Sequence, residues 1–111
     1  MNVPELTNGG LKLTNGIWSS DRPEEISYPE DGNNTCFQVE DSSYWFQHRN
    51  AVIRTLIRRH ATPEKPGWFL DIGGGNGLQS KAIQELGIST ALIEPGRKGC
   101  ENAQRRGVDN V

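Results

Sequence analysis

Ten residues, Trp68-Phe-Leu-Asp-Ile-Gly-Gly-Gly-Asn-Gly77, restrict what this chain can fold into more than any other stretch. A short apolar run from Trp68 to Ile72 is broken only by Asp71 and then gives way to glycine. The run has the length of a buried strand, and the glycines predict a tight turn into a helix. Gly73, Gly75 and Gly77 stand at alternate positions, so the backbone there has no Cβ to hold a ligand away.

The flanking residues extend this strand–turn–helix unit in both directions. Upstream, Asp41 or Ser42 can cap a helix, and Trp45, Arg49, Val52, Ile53, Leu56, Ile57 and His60 follow one helical face. Arg54, Arg58 and Arg59 fall largely off that stripe, and the last two suit the negative end of the helix dipole. Thr62-Pro-Glu-Lys-Pro-Gly67 predicts the helix stop. Downstream, Leu78, Ala82, Ile83 and Leu86 mark one face of a short helix ended by Gly87. Ile88 to Ile93 reads as a second buried strand, ended by Glu94-Pro95-Gly96. Residues 97–106 form a helix with only Cys100 and Ala103 as apolar contacts, Gly107 closes it, and Val108 to Val111 begins a third strand. Such alternation predicts an α/β fold with right-handed crossovers and a parallel sheet. With the third strand only starting, the sheet reads as truncated after its second strand, and the chain as the N-terminal part of a larger domain. The expectation is marginal stability alone, with the unfinished sheet edge as a route to self-association.

Residues 1–41 differ in character and are expected to be an extension with a cover-like role. Residues 1–10 read as a frayed start. Leu11 to Ser19 alternates around Asn15-Gly16, which predicts a type I′ hairpin. Residues 20–35, with Pro23, Pro29 and the turn-rich Glu30-Asp-Gly-Asn-Asn34, read as loop, and Cys36-Phe-Gln-Val39 as a short strand. The extension carries eight acids against Lys12 and Arg22, a net −6, whereas residues 42–111 are net +4. Weak attraction between two solvated surfaces accounts for this split. A nucleic-acid footprint would need a denser basic stripe with interleaved aromatics, so no nucleic-acid partner is indicated. No apolar run approaches the length of a membrane span and no secretion signal is evident, which points to a cytoplasmic protein with Cys36 and Cys100 reduced. Two cysteines so far apart, without a nearby histidine, make a poor metal site, and none is expected.

Three ligand classes use a strand, a glycine turn and a helix. A P-loop needs Gly-Lys-Ser/Thr, which occurs nowhere in the chain. The dinucleotide fingerprint G-x-G-x-x-G places its third glycine at Leu78, or at Ser80 when counted from Gly75, so a nicotinamide-dependent oxidoreductase is the weaker alternative. The third class fits. Phe69-Leu-Asp-Ile-Gly-Gly-Gly-Asn-Gly77 resembles the first motif of the class I S-adenosylmethionine-dependent methyltransferases: apolar residues, an acid, then glycines at alternate positions. Ser43-Tyr-Trp-Phe-Gln-His-Arg49 is similar to the aromatic–Arg helix that precedes this motif in some members. The resemblance covers about residues 42–111 and leaves residues 1–35 without a counterpart.

This resemblance implies a Rossmann-like sheet, S-adenosylmethionine as cofactor, and methyl transfer to an acceptor whose class the sequence does not reveal. It also implies that acceptor-binding residues lie farther along such a fold, so this chain supplies the cofactor-binding half. The bare backbone of Gly73, Gly74 and Gly75 suits the methionine portion, with Gly77 completing the glycine set. Asp71, at the carboxyl end of the strand, would orient the loop and favour the ligand's positive groups. Glu94 lies 21 residues after Gly73 and ends the next strand, where an acid accepts hydrogen bonds from ribose hydroxyls. Pro95 would flank adenine. Arg49 can meet the ligand carboxylate through a charge-assisted bond, whereas Trp45 and Phe46 read first as core. His48 and His60 read as ordinary helix residues, and Cys100 has no evident base to make it a nucleophile. A nucleoside-binding or interaction module without catalysis is the remaining alternative.

Overall fold

A computed structural model describes residues 2–22, 25–61 and 67–111, and the side chain of Glu30 is also outside that description. Five helices and two small sheets make up the described chain: α1 (Val3–Leu6), β1 (Lys12–Thr14), β2 (Ile17–Ser19), α2 (Glu30–Glu40), α3 (Tyr44–His60), β3 (Trp68–Ile72), α4 (Leu78–Gln84), β4 (Ser89–Ile93) and α5 (Arg97–Arg106). β1 and β2 form an antiparallel hairpin, and β3 pairs with β4 in parallel, Trp68 opposite Ser89 through Ile72 opposite Ile93. The α/β class and the parallel pair therefore match expectation. No helix among the described residues is long and apolar enough to cross a membrane.

The hairpin forms as its turn residues require. Asn15 and Gly16 both have positive φ, 52° and 82°, the backbone of a type I′ turn whose twist matches the strands it joins. Ile17 packs against the main core cluster, Leu92, Cys100, Ala103, Val108 and Val111. The Trp18 amide donates to the Val111 carbonyl at 2.7 Å, and Gln104 Nε2 donates to the Asn15 carbonyl. The hairpin thus lies against α5 and the segment after it. That segment is not a third strand, contrary to expectation, although Leu92 N donates to the Asn110 carbonyl at 2.9 Å beside β4.

Three further expectations are corrected. Residues 3–6 form a helical turn, because Asn2 and Glu5 make a reciprocal capping box: Glu5 N donates to Asn2 Oδ1 and Asn2 N to Glu5 Oε2. Residues 30–40 form α2 where a loop and a short strand were expected. Pro29 precedes the first turn with extended backbone, and the Asn33 carbonyl, Asn34 and Glu40 of α2 are held by partners distant in sequence. β3 is not a buried strand: Ile72 is 78% exposed and Leu70 is exposed too, because β4 is its one paired neighbour among the described residues. The expected helix stop at residues 62–66, and Pro23 in the first loop, lie outside the described residues.

α3 occupies the predicted span, but its N-cap is Ser43, whose side chain makes no capping bond, in place of the expected Asp41 or Ser42; Asp41 ends α2 instead. Only part of its apolar stripe is covered, however, and Trp45, expected in the core, is 64% exposed. Polar bonds fasten α3 to α4: Asn50 Nδ2 donates to the Leu78 carbonyl at 3.2 Å and Arg54 faces Glu85 at 3.6 Å. α4 reaches the end of α5 in turn, through Lys81 Nζ and Gln84 Nε2 on the Gly107 carbonyl.

Candidate functional site at the glycine turn

The carboxyl ends of β3 and β4 lie side by side, and the glycine turn crosses over them. Gly73 N donates to the Ile93 carbonyl at 2.7 Å and Gly74 N to the same oxygen at 3.4 Å. Gly75 N donates to Glu94 Oε2 at 2.9 Å, and Gly77 N returns to the Gly74 carbonyl at 3.0 Å. The amides at 73, 74, 75 and 77 are therefore all engaged within the protein.

The glycines divide by what surrounds them. Gly73 and Gly75 have φ of +74° and +54°, and a Cβ added at either would meet nothing within 4 Å. Their backbone faces open space. At Gly74 an added Cβ would fall 2.8 Å from Leu92 Cδ1, and at Gly77 it would fall 2.8 Å from Ala103 Cβ, so these two permit close packing beneath the turn. Gly77 is accordingly buried under α5 and the following segment, away from the open side.

Asp71 and Arg49, distant in sequence, border one cavity of about 250 Å³ together with Gly73, Gly74, Ile53 and Gln79. Asp71 Oδ2 accepts from Ser80 Oγ at 2.7 Å, a bond that ties the strand end to the first turn of α4. The Arg49 guanidinium lies 5.1 Å from the Phe46 ring centroid. With the Gln79 amide oriented so that its oxygen meets the cation, Arg49 Nε donates to it at 2.7 Å, and Nη2 does the same. Phe46 thus supports Arg49, and Trp45 does not join the site.

Glu94 borders a second cavity of about 320 Å³, along with Ile26, Tyr28, Asn33 and Gly96. Its two oxygens bind different strand-end amides, Oε2 that of Gly75 and Oε1 that of Gly96 at 2.7 Å. Each carboxylate oxygen retains a lone pair for a further donor. Pro95 is exposed in the turn after Glu94 and borders neither cavity. Arg97 and Lys98 line the second cavity but both are committed to Glu101, at 3.2 and 3.3 Å. The Arg97 hydrogen bond, then that of Lys98, holds the Glu101 carboxyl below its ordinary range. The Tyr28 phenol is raised above its ordinary value, first by its electrostatic interaction with Cys36 and then by a hydrogen bond with it, with Glu40 and Glu94 acting in the same direction.

Beneath the turn lies a buried polar cluster that sequence reasoning missed. Asn76 Nδ2 donates to the Asn33 carbonyl at 2.8 Å and to Glu40 Oε1 at 3.1 Å, while Asn76 Oδ1 accepts from Asn102 Nδ2 at 3.0 Å. Arg106 donates from Nε to the Asn76 carbonyl at 3.1 Å, and from Nη2 to Glu40 Oε2 at 2.8 Å. It also pairs with Asp41 and stacks over Phe37, 4.8 Å to the ring centroid. α2, the glycine turn and α5 are joined through these groups. The one signal in the sequence was Asn76 itself, a polar residue between two glycines of the turn.

Cys100 is buried, and its Sγ donates to the Glu94 carbonyl at 3.2 Å. Burial, with Glu94 nearby, pushes its thiol up to about 11. That makes it a poor nucleophile at neutral pH. Among the described residues no group of three or more His, Cys, Asp or Glu is placed to hold a metal ion.

Comparison with known proteins adds no relative: no protein-family model matches the chain, and a search of curated proteins finds no significant match.

Proposed function

We propose that this chain binds S-adenosylmethionine across the carboxyl ends of β3 and β4, on a Rossmann-like α/β unit, and serves methyl transfer. The observation that carries this reading is the state of the turn's amides. A pyrophosphate needs free N–H groups aimed at it. Here Gly73, Gly74, Gly75 and Gly77 donate to Ile93, Glu94 and Gly74 instead, while the Cα faces of Gly73 and Gly75 stay open. Such a turn favours a ligand that packs on backbone and carries no phosphate. S-adenosylmethionine, with a sulfonium, an ammonium, a carboxylate and a ribose, is that kind of ligand.

The residues present fit each part. Arg49 would hold the carboxylate by a charge-assisted bond, and its planar group is already oriented by Gln79 and Phe46. Asp71, fixed by Ser80, places a negative charge beside Gly73 and Gly74, where the ammonium and sulfonium would gain from it. Glu94, anchored through Gly75 and Gly96, would accept from the ribose hydroxyls. When bound, the cofactor supplies a methyl group activated by a positive sulfur leaving group. The chain's own work is then to orient that ligand and to exclude water from it. The acceptor lies outside this reading, and a cytoplasmic setting is proposed with it.

Titration calorimetry with S-adenosylhomocysteine and, separately, NADH tests the proposal. S-adenosylhomocysteine is expected to bind and NADH not to bind. The reverse pattern would replace this reading with an oxidoreductase. Cofactor binding without transfer to any offered acceptor would leave a nucleoside-binding module.

A further inference from the structure

We infer that the segment from Ile26 to Asn33 forms the subsite for the ligand's base, and that the Asn33 carboxamide reads the edge of an adenine ring. The inference rests on the proposal above that a nucleoside binds at Glu94. It assigns a role to the N-terminal extension, for which the sequence suggested only a cover.

The second cavity has the make-up of a site for a flat, uncharged ring. Ile26 and Tyr28 border it and expose apolar surface that no core uses. Its two cations, Arg97 and Lys98, share Glu101, and with Glu94 also at its border the four charges cancel, so it has little to offer an anion. Glu94 stands at its border, so a ribose held there would direct its base into this space.

Asn33 supplies the polar component. It is 8% exposed, and its carboxamide makes no hydrogen bond among the described residues, although its backbone carbonyl is fixed by Asn76. Unlike the sealed, unpaired oxygens of Asn50 and Asn102, its polar atoms are not closed off, so a ligand in the cavity can reach them and supply the partner. The position is built for this closeness. A Cβ added at Gly96 would lie 3.2 Å from Asn33 Nδ2 and 2.8 Å from Glu94 Oε1, and one at Gly99 would lie 3.3 Å from Asn33 Nδ2 and 2.9 Å from Glu94 Cγ. Two glycines at the start of α5 thus admit Asn33 and Glu94 side by side. A carboxamide presents a donor and an acceptor along one edge, which matches the 6-amino group of adenine together with an adjacent ring nitrogen.

The test compares adenosine with purine riboside, which lacks only the 6-amino group, as competitors of bound S-adenosylhomocysteine. It uses the parent chain, Asn33→Ala and Tyr28→Ala, with thermal melting to confirm each fold. The parent is expected to prefer adenosine by about three- to tenfold, one hydrogen bond's worth. Asn33→Ala should erase that preference without lowering the melting temperature, and Tyr28→Ala should weaken both competitors alike. If S-adenosylhomocysteine binds but Asn33→Ala keeps the parent's preference, or adenosine does not compete, base reading by Asn33 is overturned and the cofactor reading stands. If the parent does not bind S-adenosylhomocysteine at all, both fall.

Discussion

Arg106→Met tests whether the buried polar cluster holds the glycine turn in place. The Arg106 and Glu40 side chains are each 8% exposed, and they meet at 2.8 Å. Substitution leaves the Glu40 carboxylate without its cation and the Asn76 carbonyl without its Nε–H partner. Breaking a buried pair by removing one member costs about 3–5 kcal/mol, against about 0–1 kcal/mol for an exposed pair. For a domain of this size, at about 4 °C per kcal/mol, the melting temperature should fall by roughly 12–20 °C. The assay is thermal unfolding followed by circular dichroism. Adding Glu40→Gln to Arg106→Met removes the stranded charge while keeping an acceptor for Asn76. The double variant should therefore recover part of the loss, a coupling of about 0.5–3 kcal/mol. A fall of less than about 4 °C for Arg106→Met would place the pair among exposed ion pairs and refute the clamp. Losses in the double variant that merely add would do the same.

Other outcomes follow from the same geometry. Glu94→Ala should weaken S-adenosylhomocysteine by about 10–100-fold in a calorimetric titration, since each hydrogen bond to a charged group contributes about 1.5–3 kcal/mol; unchanged affinity would remove Glu94 from the site. Gly75→Ala, at a φ of +54°, should cost about 1–2 kcal/mol in denaturant unfolding and weaken ligand binding further by placing a methyl on the open side of the turn. Cys100 should resist alkylation at pH 8 in the folded chain and react on unfolding. Its raised pKa also predicts a pH window: the unfolded thiol ionises near 9 and the folded one near 11, so stability is intact below pH 9 and declines as pH rises towards 11. A melting temperature that stays flat across that window in Cys100→Ala but falls in the parent would assign the decline to this thiol.

Where local chemistry decides, the sequence was readable. Asn15-Gly16 specifies the hairpin turn, the apolar run before Gly73 specifies β3, and Gly87 and Gly107 mark helix ends. The capping box of α1 was also visible, as Asn2 followed three residues later by Glu5, and a frayed start was expected in its place. α2 was not readable in this way. Gly32-Asn33-Asn34 has the composition of a turn, and what stabilises it as helix is remote: Asn76 on the Asn33 carbonyl, Asn102 on Asn34 Oδ1, and Arg106 on Glu40. Tertiary bonds override local propensity there. The same remoteness hid half of the candidate site. Asp71, Glu94 and the glycines were found from spacing along one chain segment, and Arg49 from its place on a helix that reaches the cavity bordered by Asp71, Gly73 and Gly74. Asn33 and Tyr28 approach Glu94 only because α2 packs on α5, a contact no periodicity encodes.

Amide chemical shifts report residue by residue where a ligand lies. In a titration of the isotopically labelled chain with S-adenosylhomocysteine, the amides of Gly73, Gly74, Gly75 and Gly96 should shift together and saturate. Those of the hairpin, Lys12 to Ser19, should stay in place. Shifts absent from the glycine turn, or confined to residues remote from Glu94, would contradict the account.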